Sequence, residues 1–323
     1  MQKKDLNQKR NVGSFNIPKP PKTKRQEKLP SQWPKSAYED PHAPKRVQAL
    51  LDSPNYRRAD EDPDFLKEDA ARGVRIQADY LKTELLLQKY GVKSTIAVFG
   101  GTRIIEKMEA IRRVEKAKQA LADSPDDKTL MQKYKIAQKV LEKSRFYEIG
   151  REFGSLIGSS GQGPNDCSVT LMTGGGPGVM EAANRGAFEV GAKSIGLNIK
   201  LPNEQFPNPY ISPELCFQFH YFSMRKLHFF RRAKALVAFP GGFGTLDELV
   251  EALTLVQTRK LEPFPIILVG KAFWDNTIDF DYLLSEGVID IEDMKLFWYA
   301  ESAQEIWDGI LLWHQENGKP LIN

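Results

Sequence analysis

The residue types best suited to chemistry sit in the run Pro240-Gly241-Gly242-Phe243-Gly244-Thr245-Leu246-Asp247-Glu248, where three glycines fall within four positions. The run follows a short apolar segment, Ala235 to Phe239, and opens an amphipathic stretch, Leu246 to Gln257, so it reads as strand, glycine turn, helix. Glycines let the backbone turn sharply and approach a ligand, while the free N–H groups and positive dipole end of the following helix favour an anion. No Lys-Ser or Lys-Thr follows the glycines, so a triphosphate-binding Walker loop is not formed and a monophosphate is the expected guest. Glu248 is open to two readings: a carboxylate that acts on the ligand, or the partner of Thr245 in a capping box, each side chain satisfying the other residue's free N–H.

The cation to set beside Glu248 is Arg225. It lies near the start of a helical stretch, Ser223 to Ala233, from which a rigid, permanently charged fork can point back to the crevice. Lys226, Arg231, Arg232 and Lys234 are compatible with a solvated face. His220 and His228 lack metal-ligand partners at useful spacing and read as packing residues.

Two further glycine turns follow apolar runs of strand length. Gly100-Gly101-Thr102-Arg103 succeeds Thr95 to Phe99, and Gly174-Gly175-Gly176-Pro177-Gly178-Val179-Met180-Glu181-Ala182-Ala183-Asn184 succeeds Val169 to Thr173. Continuous apolar strands suit a parallel sheet covered on both faces, and such sheets bind ligands at the carboxyl ends of their strands. The first turn lacks full GxGxxG spacing, so no dinucleotide site is assigned.

These turns must be held by a larger scaffold. Phe65 to Tyr90 reads as one long helix, with Leu66, Ala70, Val74, Ala78, Leu81 and Leu85 on a shared face and Gly91 ending it. Ile104 to Leu121 and Thr129 to Ile157 form a charged helical hairpin; its portion up to about Lys143 is an insertion, and Phe146 resumes the sheet-covering helix. Strands follow at Ser194 to Ile199 and Pro265 to Val269, with a short strand or loop wall at Phe217 to Phe222 and a closing helix from Ser302 to His314. The fold class is therefore α/β: a Rossmann-like, doubly wound parallel sheet with helices on both faces and an inserted helical hairpin.

Charge divides unevenly along the 323 residues. Residues 1 to 50 hold twelve Lys or Arg and four Asp or Glu, giving +8; with 46 basic and 42 acidic residues overall, the remaining 273 hold 34 against 38, or −4. With seven of the twenty prolines in residues 1 to 50 and no periodicity there, residues 1 to 60 read as a basic, Pro-rich disordered extension preceding a domain over 61 to 323. A charge run with few aromatics is a solvated tail rather than a nucleic-acid arm. No apolar run reaches membrane-spanning length and no h-region follows the basic N-terminus, so a cytoplasmic address is expected. Cys167 and Cys216 have no metal-type spacing and read as ordinary side chains.

With the two long glycine motifs flanking Arg225-Lys226, the chain resembles the LOG (Lonely Guy) family, whose older label is "possible lysine decarboxylase". The resemblance runs from about Phe65 to Trp313, leaving out the tail and the insertion. It implies a homodimer, or a higher oligomer, that needs no cofactor or metal and hydrolyses the N-glycosidic bond of nucleoside 5′-monophosphates, including cytokinin riboside monophosphates, to free base and ribose 5-phosphate. It also implies that Arg225 and Glu248 are catalytic. Substrate or phosphate binding then falls to Gly100, Gly101, Thr102, Gly175, Gly176, Gly178, Met180, Glu181, Lys226, Gly241, Gly242, Gly244, Thr245, Asp247 and Thr254. The chemistry suits these residues: a carboxylate beside C1′ stabilises the developing sugar cation and activates water, whereas an arginine, with a pKa above about 12, positions groups rather than donating protons. A Schiff-base lysine for decarboxylation is not singled out by any pattern. The alternative is a nucleotide carrier or sensor on the same fold that binds without cleaving.

Overall fold

The computed structural model describes residues 22–25, 27, 35–163, 165–200 and 206–322. The chain divides into two compact units, Met1–Asp69 and Ala70–Asn323. In the first, α1 (Ala43–Leu51) forms inside the stretch expected to lack order, and α2 (Pro63–Lys67) follows two short 3-10 turns. Local chemistry accounts for both helices: each has a proline in its first turn, where no N–H is needed, and the Asp62 carboxylate caps α2 by accepting from the N–H groups of Asp64 and Phe65. The α1 sequence, rich in good helix formers, buries only Ala43. The rest of the expected disordered tail, residues 1–21, 26 and 28–34, lies outside the described residues.

The second unit begins with α3 (Arg72–Lys89) and continues β1 (Ser94–Phe99), α4 (Lys107–Asp123), α5 (Lys128–Lys143), α6 (Arg145–Ser159), β2 (Val169–Thr173), α7 (Val179–Glu189) and β3 (Ser194–Ile199). It is completed by β4 (Cys216–Phe219), α8 (Phe222–Arg231), β5 (Ala233–Ala238), α9 (Phe243–Gln257), β6 (Ile266–Val269), α10 (Lys271–Asp275), α11 (Phe280–Ser285), β7 (Trp298–Ala300) and α12 (Ala303–Glu316). Among the described residues the seven strands are all parallel, in the order β4-β3-β2-β1-β5-β6-β7. The α/β reading and the inserted hairpin, α4 with α5, are borne out. The strand β7 was not legible, being three residues long.

Burial on both faces explains the unbroken apolar strands. One core packs Leu87 of α3, Phe229 of α8, Leu249 of α9 and Trp274 of α10 against one face. The other packs Phe153 of α6, Ala182 and Ala183 of α7, and Ile306 and Ile310 of α12 against the opposite face. Strand order reverses between β1 and β5, whose carboxyl ends lie side by side with Phe99 paired to Ala238. That switch point is where an open α/β sheet leaves a crevice.

The expected long helix from Phe65 to Tyr90 is interrupted: a 3-10 turn, Asp69–Ala71, separates α2 from α3. Its expected core face is also turned outward, with Val74, Leu81 and Leu85 at 54%, 40% and 59% exposure, while Thr83, Glu84 and Leu87 are buried. The reason is an ion pair. Glu84 receives both Arg232 Nη atoms at 2.7 and 2.8 Å and is approached by Arg231 at 3.2 Å, and this buried carboxylate fixes the rotation of α3. Arg232 holds the Glu84 carboxyl down at about 2, although burial alone would raise it. Cys167 is buried, Cys216 is half-buried, and neither is bonded to another cysteine.

Candidate active site

The crevice is built by two glycine turns. Gly101 N–H donates to Pro240 O at 2.9 Å, joining the turn after β1 to the turn after β5. Gly178, the residue before α7, has φ +78°, and a Cβ there would lie 2.3 Å from Gly101 O, so only glycine allows the third turn to close on the first. At Gly241 a Cβ would meet Thr245 Oγ1 at 2.1 Å. The Thr245 side chain therefore lies directly against the glycine turn.

The helix α9 begins at Phe243 with Gly242 as its N-cap, not at Leu246 as its amphipathic pattern suggests. Thr245 is then the third helical residue, and the capping box with Glu248 does not form: Gly242 caps without a side-chain bond. Glu248 sits five residues into the helix, about 7.5 Å along the axis from Phe243. It is 3% exposed. Its Oε1 stands 3.5 Å from Arg225 Nη2, and its Oε2 has no hydrogen-bond partner among the described residues.

Arg225 is positioned by α8, and α8 is held at both ends by α3. The Asp79 carboxylate accepts from the N–H groups of His220 and Tyr221 at 2.9 Å each, just before the helix, while Glu84 holds Arg232 just after it. The guanidinium stacks over Phe222 and Phe229, 5.0 and 5.6 Å from their ring centroids. Its Nε has no partner among the described residues. Burial pushes the Glu248 carboxyl up to about 7, and the charge of Arg225 opposes this without cancelling it. Burial likewise works against the Arg225 charge, which Glu248 and Asp247 support. A cation and an acid that are both desolvated, with unused polar atoms, form a site prepared for a polar ligand.

The cleft around this pair has a volume of 380 Å³, within the range that takes a small-molecule ligand. Gly100, Gly101, Thr102, Met180, Arg225, Gly242, Gly244, Thr245 and Glu248 line it, as the sequence suggested. Other candidates are placed elsewhere. Lys226 is tied to Asp247 at 2.8 Å and Glu251 at 2.7 Å, which locks α8 to α9 beside the cleft. Glu181 accepts from Tyr147 OH at 2.8 Å, and Thr254 is exposed, its hydroxyl donating to Val250 O. Gly175, Gly176 and Gly178 shape the turn without lining the cleft. Gly241 lines an adjoining cavity.

Sequence reasoning missed Phe99, Gly174, Ile199, Phe229 and Phe243 as cleft residues and had Phe222 only within a longer wall. The aromatic density from Phe217 to Phe230 is the signal that was present. Residues 201–205, between β3 and β4, lie outside the described residues. His228 is fully buried, stacked with Tyr80 and against Phe219, which is a packing role. Among the described residues no three His, Cys, Asp or Glu side chains gather as a metal site, and no helix is long and apolar enough to cross a membrane.

Comparison with known proteins bears out the resemblance read from the motifs. The family described as "Possible lysine decarboxylase" matches residues 180–310, a segment holding Arg225, Lys226 and the whole Pro240 to Glu248 run, though shorter than the span from Phe65 to Trp313. The cytokinin riboside 5′-monophosphate phosphoribohydrolase LOG of Oryza sativa subsp. japonica is 31% identical over 143 residues, 43% of this chain. The match spans 57% of the rice protein's length. The corresponding LOG1 enzyme of Arabidopsis thaliana is 28% identical over 173 residues, covering 52% of this chain and 74% of its own. A solved structure of the Moco carrier protein from Chlamydomonas reinhardtii is 18% identical with a TM-score of 0.41, covering 69% of this chain and 99% of that one.

Proposed function

We propose that the chain hydrolyses the N-glycosidic bond of nucleoside 5′-monophosphates, releasing the free base and ribose 5-phosphate. The observation that carries this reading is the buried Arg225–Glu248 pair facing a nucleotide-sized cleft, with one carboxylate oxygen unused. The 5′-phosphate sits at the first turn of α9, where Gly242 and Gly244 offer backbone N–H groups and the positive end of the helix dipole. Glu248, a turn and a half further along, then faces C1′.

As the C1′–N bond breaks, electrons leave with the base and positive charge grows on the sugar, which the Glu248 carboxylate stabilises. Water forms the new C1′–O bond, and its proton passes to Glu248, whose affinity near neutral pH suits a general base. Arg225 holds the carboxylate and the substrate's negative groups in place. The exposed apolar ring of Phe222 supplies a surface for the base.

The names of the rice and Arabidopsis relatives support the same reaction class. Decarboxylation by a Schiff-base lysine finds no support, since no lysine lines the cleft among the described residues. A homodimer belongs to the same proposal, supported by the outward apolar stripe of α3 and by Phe243 and Val250, 92% and 49% exposed, on α9. Incubation of the purified chain with AMP, with adenine release followed by chromatography, tests the activity. A thermal shift with AMP but no adenine marks a binding protein and ends the hydrolase reading.

A further inference from the structure

A second cavity of 380 Å³ shares Gly101, Thr102 and Gly242 with the nucleotide cleft. Its remaining wall includes Arg103, from the turn after β1, and Lys143, from the last turn of the inserted helix α5. No Asp or Glu among the described residues lines it. Arg103 and Lys143 hold no carboxylate or other partner among the described residues, in contrast to Arg151, Arg185 and Arg232, each of which grips a glutamate. An uncompensated pair of cations in one concavity leaves a field that an anion answers. The backbone contributes in the same sense: the N–H of Gly241, which lines only this cavity, donates to no backbone acceptor among the described residues, and such turns form anion-holding concavities.

We propose that this cavity is a second phosphate subsite, taking a phosphate group beyond the 5′-phosphate of the nucleotide. The proposal rests on reading the main cleft as a nucleotide site. Because the two cavities meet along Gly101, Thr102 and Gly242, the group is either the distal phosphate of a nucleoside 5′-diphosphate or a free phosphate bound beside a monophosphate. Either way the inserted hairpin acquires a role, since α5 supplies one of the two cations. A solvated surface lysine at a helix C-terminus is the bland account of Lys143; it does not explain why Arg103 faces the same acid-free cavity.

Calorimetric titration of the full chain with AMP, with ADP, and with inorganic phosphate after saturation by AMP separates the sources. The wild type is expected either to bind ADP about tenfold or more tightly than AMP, the effect of one charge-assisted contact, or to bind inorganic phosphate in the presence of AMP. The double variant Arg103→Gln/Lys143→Met loses whichever signature the wild type shows, and Lys135→Met, an exposed charge on the same helix, keeps it. Absence of both signatures in the wild type, or their persistence in the double variant, overturns the subsite. The hydrolase reading fails separately: it falls if AMP binds without base release, whatever the phosphate titrations show.

Discussion

Arg225 Nη2 stands 3.5 Å from Glu248 Oε1, too far for a strong hydrogen bond and close enough for each charge to govern the other in a buried setting. The two side chains come from adjacent helices, α8 and α9, which the Lys226 bridge to Asp247 and Glu251 holds in register.

Replacing Glu248 by glutamine keeps the shape and removes the base. Base release from AMP is expected to fall by roughly 10²- to 10⁴-fold, while the thermal shift on AMP binding persists. Single-turnover assays beside thermal melts check this; undiminished turnover removes Glu248 from the chemistry.

The same residue makes stability depend on pH. Its folded-state carboxyl lies at about 7 against an ordinary 4.5, so the folded chain binds the proton more tightly than the unfolded chain does. The contribution is fully present below 4.5 and is lost as pH rises through 7, on the order of 3 kcal/mol in all. Urea unfolding at pH 4.5 and pH 8 should show the wild type losing stability relative to Glu248→Gln across that window.

Arg225→Met removes the charge that opposes protonation of Glu248. Activity that depends on ionised Glu248 then requires higher pH, so the acid limb of the kcat/KM profile moves upward, and kcat/KM at neutral pH falls. A limb that stays in place or moves down contradicts the electrostatic role.

The turn geometry is tested by a pair of glycines. Gly178→Ala meets Gly101 O and a positive φ, so it should destabilise by about 2 kcal/mol or more. Gly73→Ala, in α3 with nothing within 4 Å of the new methyl, should stabilise by roughly 0.5–1 kcal/mol. Denaturant midpoints of the two variants give both values.

The clamp of α3 on α8 gives a distal prediction. Arg232→Met leaves Glu84 buried without its bidentate partner and is expected to cost about 3–5 kcal/mol. Asp79→Ala removes only the carboxylate that holds the backbone ahead of α8, and should lower kcat on AMP with a smaller loss of melting temperature. Equal effects of Asp79→Ala on KM and stability with kcat unchanged would show that α8 needs no such anchor.

The sequence by itself determined the sheet and its ligand-facing edge. Apolar runs such as Thr95 to Phe99 and Ala235 to Phe239 can only be buried on both faces, and the glycines after them can only turn toward a ligand or a close backbone. It also identified Arg225 and Glu248 as the charged pair to watch, because their types and helix-start positions are local properties. Tertiary structure alone decided the roles of their neighbours. Whether Glu248 caps or acts depended on α9 starting at Phe243, three residues before its amphipathic pattern begins. Lys226 and Asp247, expected at the phosphate, instead neutralise each other. The face of α3 followed the Glu84–Arg232 ion pair rather than its stripe of leucines. For Lys226 and for α3 the deciding partner lies on another element, brought near by the fold, and at Glu84 the free energy of a desolvated charge outweighs the local pattern around it.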